Sequence, residues 1–407
     1  MPSARRRIAL LHPTSETIGY YEQLARAMVA GMRQSGAEAV ALPIPASVWG
    51  ALKLYNPSVD KNSALHRDML NAIGKIITSM GLTDTFAINR ARCELPIPPS
   101  VTHHCWVHDP YDAPVDLGPV GERSWMLAGY WTDWWGGQPL LPATDFGLYH
   151  RVETEWDADI SFAGYMPNLA QPDAETIDRL KAAIKNGPVT VAEIVNVASQ
   201  SILDELLQTS TFVSDLSFAE RLVQRAGERL GIHFEPKVFK ILITRTRCDL
   251  VRFAQRERLL RFLIPLCERR GWRLRLAGPG WELYAPARPY HVGVVRSGEQ
   301  LARFYQRTKV NLQVNGDCNV HPRLMEALAC GSLVLSEACA TDDQPYGLRS
   351  ILDADCAPTY RTFEELETML EKYIENDARR REAVDRGGSI VREKHTYRER
   401  AAQILAA

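Results

Sequence analysis

The sequence lacks most features that would assign it to a specialised class of protein. None of its eight cysteines forms a C-x-x-C pair, and several lie in apolar runs such as LIPLC, so we expect no disulfide framework or zinc site and a reducing, cytoplasmic compartment. The net charge of −1 provides no general attraction to nucleic acid or anionic membranes. No run approaches the roughly 18 apolar residues of a transmembrane helix. The apolar run in the start, MPSARRRIALLHP, is too short for a signal peptide, and it predicts a first strand.

Two enzyme classes are disfavoured by their motifs. No G-x-G-x-x-G follows an opening strand, which argues against a dinucleotide oxidoreductase. Two D-x-D triplets occur, Asp157/Asp159 and Asp353/Asp355, and such pairs hold the divalent cation of metal-dependent GT-A transferases. The first triplet precedes its strand and the second lies in a helical region, so we expect both to be structural. We therefore predict no metal site and no cofactor.

The order of predicted elements is that of two α/β units, and 407 residues are long enough for two cores. The first unit opens with a buried strand over RIALLHP, followed by a helix and a second strand over AEAVALPIP. Strands at TFAINR, HHCWVHD and DISFAG continue the pattern. A strand predicted over KVFKILIT (237–244) starts the second unit, which runs through helices 251–270 and 322–330 to SLVLSE. Such near-continuous apolar strands predict parallel sheets covered by helices on both faces.

These patterns divide the chain into four segments. Residues 1–168 are predicted to form an N-terminal Rossmann-like domain, and residues 237–390 a C-terminal one. Residues 169–236 are assigned as a helical insertion or connector, because their amphipathic helices have no strands between them. Residues 391–407 are predicted to be a helix that packs back toward the N-terminal domain. The fold class is therefore α/β, with two doubly wound domains facing across a cleft.

The stretch GDCNVHPRLMEALACGSLVLSE (316–337) places several polar residues at the start of a helix. Its proline suits the first turn, and Asn319 or His321 can cap the helix. The helix start follows strand KVNLQVN, at a sheet edge where α/β proteins bind ligands, and its free N–H groups favour a phosphate. Arg323 and His321 add donors for phosphate oxygens, and Glu326 can accept from ribose hydroxyls. An exposed Arg323–Glu326 ion pair explains these two residues equally well.

Together with the preceding strand, this stretch resembles the donor-binding segment of GT-B glycosyltransferases, specifically of the CgeB-like spore-coat glycosyltransferase group. The group's pattern, N-x-x-R-x-x-E-A-x-A-x-G after an asparagine-bearing strand, is matched at Asn311, Arg323, Glu326, Ala327, Ala329 and Gly331. The segments CWVHDP, DADISFAGYMPN, LRLAGPGWE, YHVGVV and HTYRERAAQIL are similar to the group as well. The resemblance covers most of residues 100–168 and 238–405.

The resemblance implies a GT-B fold and transfer of a sugar from a nucleotide-sugar donor. In such folds the C-terminal domain holds the nucleotide, and the glutamate that matches Glu326 contacts the ribose. The N-terminal domain carries the acceptor and, in inverting members, a general base. Many retaining GT-B enzymes have a second glutamate eight residues upstream, where this chain has Cys318. The stereochemical outcome is therefore left open.

Arginines indicate where the donor diphosphate binds. Ten of them lie between residues 245 and 275, and Arg245 and Arg247 follow the strand predicted from KVFKILIT, at the same sheet edge as the helix start. Two guanidiniums there can bind a diphosphate bidentately and stabilise it as it leaves, as a metal does elsewhere. Arg252 and Arg256 are one helical turn apart and can assist. Most arginines from Arg256 onward are predicted to lie on a solvated helix face.

Four further residues are candidates for the site. Gly278, in LAGPGWELY, lies where a backbone can approach a ligand closely, although a plain turn fits the same glycines. Trp281 can stack on a base or close the domain. His108 and Asp109, at the end of the strand in HHCWVHDPYD, are candidates for the base that deprotonates an acceptor hydroxyl, and a structural aspartate before proline is the alternative.

The sequence therefore predicts a metal-independent glycosyltransferase with a nucleotide-sugar donor and a glycan, protein or small-molecule acceptor. The predicted catalytic residues are His108 and Asp109. The predicted donor-binding residues are Arg245, Arg247, Arg252, Gly278, Trp281, Asn319, His321, Arg323 and Glu326. Two alternatives are a nucleotide-sugar epimerase on the same fold and a non-catalytic nucleotide-sugar-binding module, which Cys318 favours.

Overall fold

The computed structural model describes residues 5–14, 19–52, 64–108, 122–169, 190–208, 217–315 and 318–407, together with residues 178 and 182. The predicted residue Asp109 lies outside these ranges, as does most of the helix predicted from DAETIDRLKAAIKNG. Within them, no helix is both long and apolar enough to cross a membrane.

The first domain is built on a six-stranded sheet in which all neighbouring strands are parallel. Its strands, in the order β2-β1-β3-β4-β5-β6, are β1 Arg7–Pro13, β2 Glu38–Ile44, β3 Asp84–Ile88, β4 Thr102–Val107, β5 Glu122–Met126 and β6 Gln138–Pro139. Its helices are α1 Tyr20–Gln34, α2 Ala46–Leu52, α3 Ala64–Ser79 and α4 Thr132–Trp135. Strands β1, β3 and β4 are buried at nearly every position, which explains their continuous apolar sequences.

The second domain is built on a five-stranded parallel sheet in the order β11-β10-β9-β7-β8. Its strands are β7 Ala158–Ala163, β8 Leu274–Ala277, β9 Thr308–Gln313, β10 Leu333–Glu337 and β11 Thr359–Tyr360. Its helices are α5 Val191–Gln208, α6 Phe218–Leu230, α7 Pro236–Arg245, α8 Val251–Arg270, α9 Glu299–Gln306, α10 Pro322–Ala329, α11 Leu348–Ile351, α12 Phe363–Glu375 and α13 Asp377–Lys394. Because the strand order reverses between β7 and β9, a crevice opens at their carboxyl ends.

Strand β7 corrects the predicted boundary between the domains. The sequence analysis assigns DISFAG to an N-terminal domain that ends at residue 168, but β7 pairs with β8 and β9 in the centre of the second sheet. A parallel strand has the same buried pattern in either sheet, so periodicity alone does not assign it to one of them. Helices α5 and α6 therefore lie within the connection from β7 to β8, and they pack into the core of the second domain.

Residues 237–244, predicted as a strand, are helical, and this prediction was wrong. Helix α7 begins at Pro236, and a π-helical segment, Thr246–Leu250, joins it to α8. Its buried residues Val238 and Leu242 are four positions apart, the spacing of one helix face. A short apolar run with β-branched residues does not distinguish a strand from a buried helix, and this one was misassigned for that reason.

The last helix, α14 Tyr397–Ala406, crosses to the first domain. Its residues Tyr397, Ala401 and Ile404 belong to the apolar core of that domain, beside helix α1. A Cβ atom on Gly31 of α1 would lie 2.5 Å from the Tyr397 carbonyl oxygen, so only glycine allows this approach. The predicted position of the C-terminal helix agrees with this packing.

Candidate active site between the domains

A cavity of about 490 Å³ lies between the two domains, a volume typical of sites for small ligands. The first domain lines it with Tyr20, Tyr21, His108, Leu127, Ala128 and Trp131. The second domain contributes residues that follow β7, β8 and β9 and residues at the starts of α8 and α10. The cavity thus lies at the carboxyl edge of the second sheet, where its strand order reverses.

Helix α10 begins at this cavity, and His321 is its N-cap. The backbone of His321 is extended, with φ of −133°, and its Nδ1 accepts the backbone N–H of Arg323 at 3.2 Å. The Arg323 Nε lies 3.3 Å from the same nitrogen. An Nδ1 that accepts cannot carry the ring proton, so the neutral imidazole has its N–H at Nε2. Burial, followed by the charge of Arg323, holds the pKa of His321 well below its usual value and keeps the ring neutral.

The guanidinium of Arg323 is held by two strand ends. It donates to the carbonyl of Ala163, the last residue of β7, and its Nη2 donates to Asn315 Oδ1, beyond β9, at 3.0 Å. A Cβ atom on Gly164 would lie 3.0 Å from Nη1, so the residue after β7 needs to be small. No ion pair within 4 Å joins Arg323 to Glu326, although the structure describes both side chains. The surface ion pair that the sequence left open is therefore absent.

Two more guanidiniums, from helix α8, lie beside Arg323. Arg256 is 2% exposed and donates to the Tyr165 carbonyl. Its guanidinium carbon, Cζ, lies 4.8 Å from the centre of the Tyr165 ring. Its Nε has no hydrogen-bond partner among the described residues. Arg252 donates to the Tyr165 hydroxyl at 2.7 Å. Burial, and then repulsion from Arg323, lowers the pKa of Arg256 to about 9, so this cluster of three cations favours an anion between them.

Glu326 lies one turn into α10, in the cavity wall, and is 5% exposed. Burial raises its pKa to about 7, and the positive charge of Arg323 opposes this rise. Burial raises the pKa of four nearby tyrosines, and the charge of Glu326 adds to this rise at Tyr20, Tyr149, Tyr305 and Tyr397. A carboxylate at this position can accept two hydroxyl groups of a ligand.

His108 faces this wall from the first domain. It follows β4, and its backbone N–H donates to Asn89 Oδ1 at 2.6 Å. Its Nε2 lies 3.4 Å from the Tyr20 hydroxyl, and its ring packs edge-on against Trp106. Burial lowers the pKa of His108 to about 3, so the ring is neutral at physiological pH and acts as a hydrogen-bond acceptor and a weak base. Its catalytic role stays a prediction.

Arg245 and Arg247 do not belong to the described cavity lining. Arg245 ends helix α7, and Arg247 lies in the π-helical segment, 3.8 Å from the carboxylate of Glu220. Their assignment depended on a loop after the strand predicted over 237–244, and that strand is a helix. Arg252 and Arg256 are one helical turn apart, as the sequence indicates. They lie where the sequence analysis expected the arginines that bind the donor diphosphate.

Two other residues that were predicted to bind the sugar donor have side chains that point into the protein. Trp281 is 1% exposed, and its Nε1 donates to the Gly164 carbonyl at 2.7 Å, so no face of the indole is available to a base. Asn319 is 1% exposed and donates to the Glu337 carbonyl at 2.7 Å and to Asp342. It holds the loop before α10 in place and does not belong to the lining of the cavity between the domains.

Gly278, a predicted donor-binding residue, lines the cavity. Its φ is +125°, and a Cβ atom there would lie 2.1 Å from the carbonyl oxygen of Gly164. The glycine is therefore required by the close approach of the loops after β7 and β8. This requirement explains Gly278 without a ligand.

The sequence analysis missed the tyrosines of the site. Tyr165 follows β7, a strand assigned to the other domain, so its position beside the arginines was not expected. Tyr149 lies in the segment between the two sheets, and Tyr305 is in α9. Neither carries a motif, and no signal in a single sequence would have identified them.

Both D-x-D triplets lie outside the cavity lining. Asp159 is the second residue of β7 and pairs with Lys309 at 2.9 Å and with Arg273 at 3.2 Å. Asp157 pairs with Arg275 and Arg307, and Asp353 pairs with Arg386. Within the described ranges, no group of three or more His, Cys, Asp or Glu residues is arranged to hold a metal ion. The ion pairs give Asp157, Asp159 and Asp353 structural partners.

Residues 255–406 match the family model described as glycosyl transferase-like. The matched part begins in α8 and contains Arg256, His321, Arg323 and Glu326. This part of the chain is therefore similar to glycosyltransferase domains. No curated protein matches the sequence.

Two solved structures extend the comparison to the whole chain. A glycosyltransferase from Rickettsia africae is 8% identical, with a TM-score of 0.53 over 99% of this chain and 97% of that one. HepE of Anabaena, solved in complex with UDP-glucose, is 10% identical, with a TM-score of 0.53 over 98% and 99% of the two chains. At this identity the likeness establishes the fold alone, and the predicted GT-B architecture is confirmed.

Proposed function

We propose that this protein transfers a sugar from a uridine diphosphate sugar to a hydroxyl acceptor in the cavity between its domains, without a metal ion. The observation that carries the proposal is the convergence of three guanidiniums and the start of helix α10 on one wall of that cavity. The family match of residues 255–406 and the UDP-glucose bound by HepE support the choice of donor.

The donor diphosphate fits between Arg252, Arg256 and Arg323. Fork-shaped guanidiniums bind phosphate oxygens bidentately, and a helix start adds free N–H groups. The buried Nε of Arg256 lacks a hydrogen-bond partner in the described structure, and a phosphate oxygen would satisfy it. The Nε2 proton of His321 supplies one more donor.

Glu326 is the proposed ribose ligand. Its carboxylate lies in the same wall, three residues after Arg323, so a nucleotide with its phosphates on the arginines brings its ribose to this side. An ionised carboxylate accepts both vicinal hydroxyls of a ribose. The resemblance of the α10 segment to GT-B donor sites supports the same role.

The acceptor is expected on the side of the first domain. In the transfer, the acceptor oxygen attacks the anomeric carbon, the bond from that carbon to the diphosphate oxygen breaks, and the bonding electrons leave with the diphosphate. The arginine cluster stabilises the charge that develops on the leaving group. His108 is the nearest candidate to receive the acceptor proton, while Asp109 lies outside the described residues.

Cys318 favours a second candidate function, a binding module without transfer. It lines the cavity where many retaining GT-B enzymes have a glutamate, and a thiol does not replace a carboxylate in that role. Such a module would bind UDP-sugars and leave them intact. A nucleotide-sugar epimerase would instead convert the donor without any acceptor.

One experiment separates these functions. Thermal shift against nucleoside diphosphates is expected to show stabilisation by UDP, and proton NMR of UDP-glucose with the protein in EDTA is expected to show release of UDP. A changed sugar without UDP release indicates an epimerase, and an unchanged donor indicates a binding module. Failure of every nucleoside diphosphate to stabilise the protein contradicts the proposal.

A further inference from the structure

The wall that the first domain contributes to the cavity is aromatic and apolar. Its described residues are Tyr20, Tyr21, His108, Leu127, Ala128 and Trp131. None of these residues is an acid, a lysine or an arginine. The acids and arginines of the described lining all belong to the second domain, and they are Arg252, Arg256, Arg323 and Glu326. Among the residues that the structure describes, the cavity therefore has a charged side, where the donor is proposed to bind, and an uncharged side.

The aromatic part of the uncharged side is built around His108. The centres of the Tyr20 and Tyr21 rings lie 5.5 and 6.3 Å from the centre of the His108 ring, and that of Trp106 lies 4.6 Å away. Aromatic rings attract each other at these distances, so the cluster is held in place before a ligand binds. Tyr20 and Tyr21 begin helix α1 and are half-buried, which leaves part of each side chain accessible.

A loop of the second domain extends this apolar surface. Val294 and Val295 line the cavity, and Val294 is 42% exposed. The loop lies beside the start of α1, because a Cβ atom on Gly19 would be 3.5 Å from Nη2 of Arg296. Arg296 itself is exposed and does not belong to the described cavity lining. The two valines therefore lie on the side of the cavity where α1 begins.

A sugar acceptor fits this side of the cavity poorly. A sugar has a hydroxyl group on almost every ring carbon, and each hydroxyl that loses water without gaining a partner costs free energy. The Tyr20 hydroxyl, one of the few partners in the described wall, already lies 3.4 Å from His108 Nε2. Leu127, Ala128 and Trp131 present mainly hydrocarbon. A flat aromatic body needs no such partners and gains from contact with the rings.

The base on this wall favours an acidic hydroxyl. Burial lowers the pKa of His108 to about 3, so its ring is a weak base. A phenol, with an ordinary pKa of about 10, releases its proton more readily than an aliphatic hydroxyl, which resembles water with a pKa of about 15.7. A weak base is therefore better matched to a phenol.

We propose that the acceptor is an uncharged phenol whose aromatic ring lies against Tyr20, Tyr21 and Trp131. In the transfer, the phenol oxygen bonds to the anomeric carbon, the bond from that carbon to the diphosphate oxygen breaks, and its electron pair leaves with UDP. The phenol proton passes to the ring of His108. The products are an aryl glycoside and UDP. The inference rests on the proposed function, since it names the acceptor of that transfer.

Three model acceptors, each with one six-membered ring, test this assignment. The protein is incubated with UDP-glucose and 4-methylphenol, cyclohexanol or methyl glucoside, and the glycoside formed is measured by mass spectrometry. The kcat/KM for 4-methylphenol is expected to exceed that for cyclohexanol by about tenfold or more, because an aromatic ring gains from the contact with the wall. It is expected to exceed that for methyl glucoside by about 100-fold or more, because the wall leaves the sugar hydroxyls without partners.

A matched pair of variants locates the acceptor. Val294 lines the cavity, whereas Val292, in the same loop and 41% exposed, lies outside the described lining. Val294→Thr places a hydroxyl group in the apolar surface and is expected to raise the KM for 4-methylphenol about fivefold without changing the Kd for UDP. Val292→Thr is expected to change neither constant.

Three outcomes overturn the inference. A kcat/KM for cyclohexanol or methyl glucoside that equals or exceeds the one for 4-methylphenol would show that the wall does not select a phenol. Equal effects of Val294→Thr and Val292→Thr on KM would show that the acceptor binds elsewhere. Hydrolysis of UDP-glucose without transfer to 4-methylphenol rejects the inference alone, whereas a protein that leaves UDP-glucose intact in every mixture rejects the proposed function as well.

Discussion

The guanidinium of Arg323 donates a hydrogen bond to the carbonyl of Ala163, so the first turn of α10 is tied to the end of β7 across the point where the strand order reverses. A second hydrogen bond, to Asn315, fixes the same group from β9. Arg323 is thus oriented by the protein before any ligand arrives. A side chain held in this way loses little rotamer freedom when it binds a phosphate.

Replacing Arg256 tests the diphosphate site. Arg256→Met keeps the apolar stem but removes the cation, and we expect the Kd for UDP to rise about 10- to 100-fold while the Kd for uridine stays unchanged. Calorimetry with both ligands measures this difference. Arg247→Ala is the comparison, because Arg247 lies outside the described lining; a large loss of UDP affinity there would restore the assignment made from the sequence.

Replacing His321 separates stability from chemistry. His321→Ala removes the N-cap of α10 and is expected to cost about 1 kcal/mol of unfolding free energy, whereas His321→Asn keeps a capping oxygen and is expected to cost less. Both variants lose the Nε2 donor, and we expect kcat to fall about tenfold or more in each. Urea denaturation and steady-state kinetics measure the two effects, and full activity of His321→Asn would remove this residue from the site.

The affinity for UDP is expected to increase between about pH 6 and pH 8, because burial raises the pKa of Glu326 to about 7 and the ionised carboxylate binds the ribose. The histidines do not explain such a change, since the pKa of His108 is lowered to about 3 and that of His321 lies well below its usual value. Titrations in Glu326→Gln are expected to be flat over this range. An unchanged pH profile in this variant would contradict the assignment.

The same carboxyl affects stability in the opposite sense. Its folded pKa lies above its unfolded value, so the folded state holds the proton more tightly. The resulting stabilisation is fully present below the unfolded pKa and is lost as the pH rises through about 7. Glu326→Gln is therefore expected to gain stability relative to the wild type between pH 5 and pH 8, which thermal melting at several pH values would show.

Asp159→Asn tests the D-x-D alternative. The hydrogen bonds from Arg273 and Lys309 outweigh burial and lower the pKa of Asp159, so its contribution to stability is present above the unfolded pKa and is lost in acid. We expect the variant to lose about 1 to 3 kcal/mol of unfolding free energy at neutral pH and to keep its activity, with no effect of EDTA. Loss of turnover in EDTA together with an inactive Asp159→Asn would instead indicate a metal site.

The features predicted correctly from the sequence are those with a local physical cause. The start of α10 is predicted from its proline, from two capping candidates, Asn319 and His321, and from its position after a buried strand, and each of these depends on neighbouring residues only. The errors concern tertiary choices. Strand β7 fits either sheet by its pattern, and residues 237–244 fit a strand or a buried helix.

Side-chain direction limited the prediction of the site further. Trp281 and Asn319 follow strands at the correct sheet edge, but their side chains turn inward to the Gly164 and Glu337 carbonyls. The position of a residue along a sheet edge can be inferred from a sequence. The direction of its side chain in a loop depends on which backbone groups need a hydrogen-bond partner.

Helix α14 has a consequence for how the protein is made. Tyr397 and Ile404 complete the apolar core of the first domain, although they follow the entire second domain in the chain. During synthesis, the first domain therefore emerges with part of its core missing and waits for residues that leave the ribosome last among those described. The usual order, in which an N-terminal domain folds before the next one is made, is interrupted here. The core of the first domain is complete only once α14 has been made.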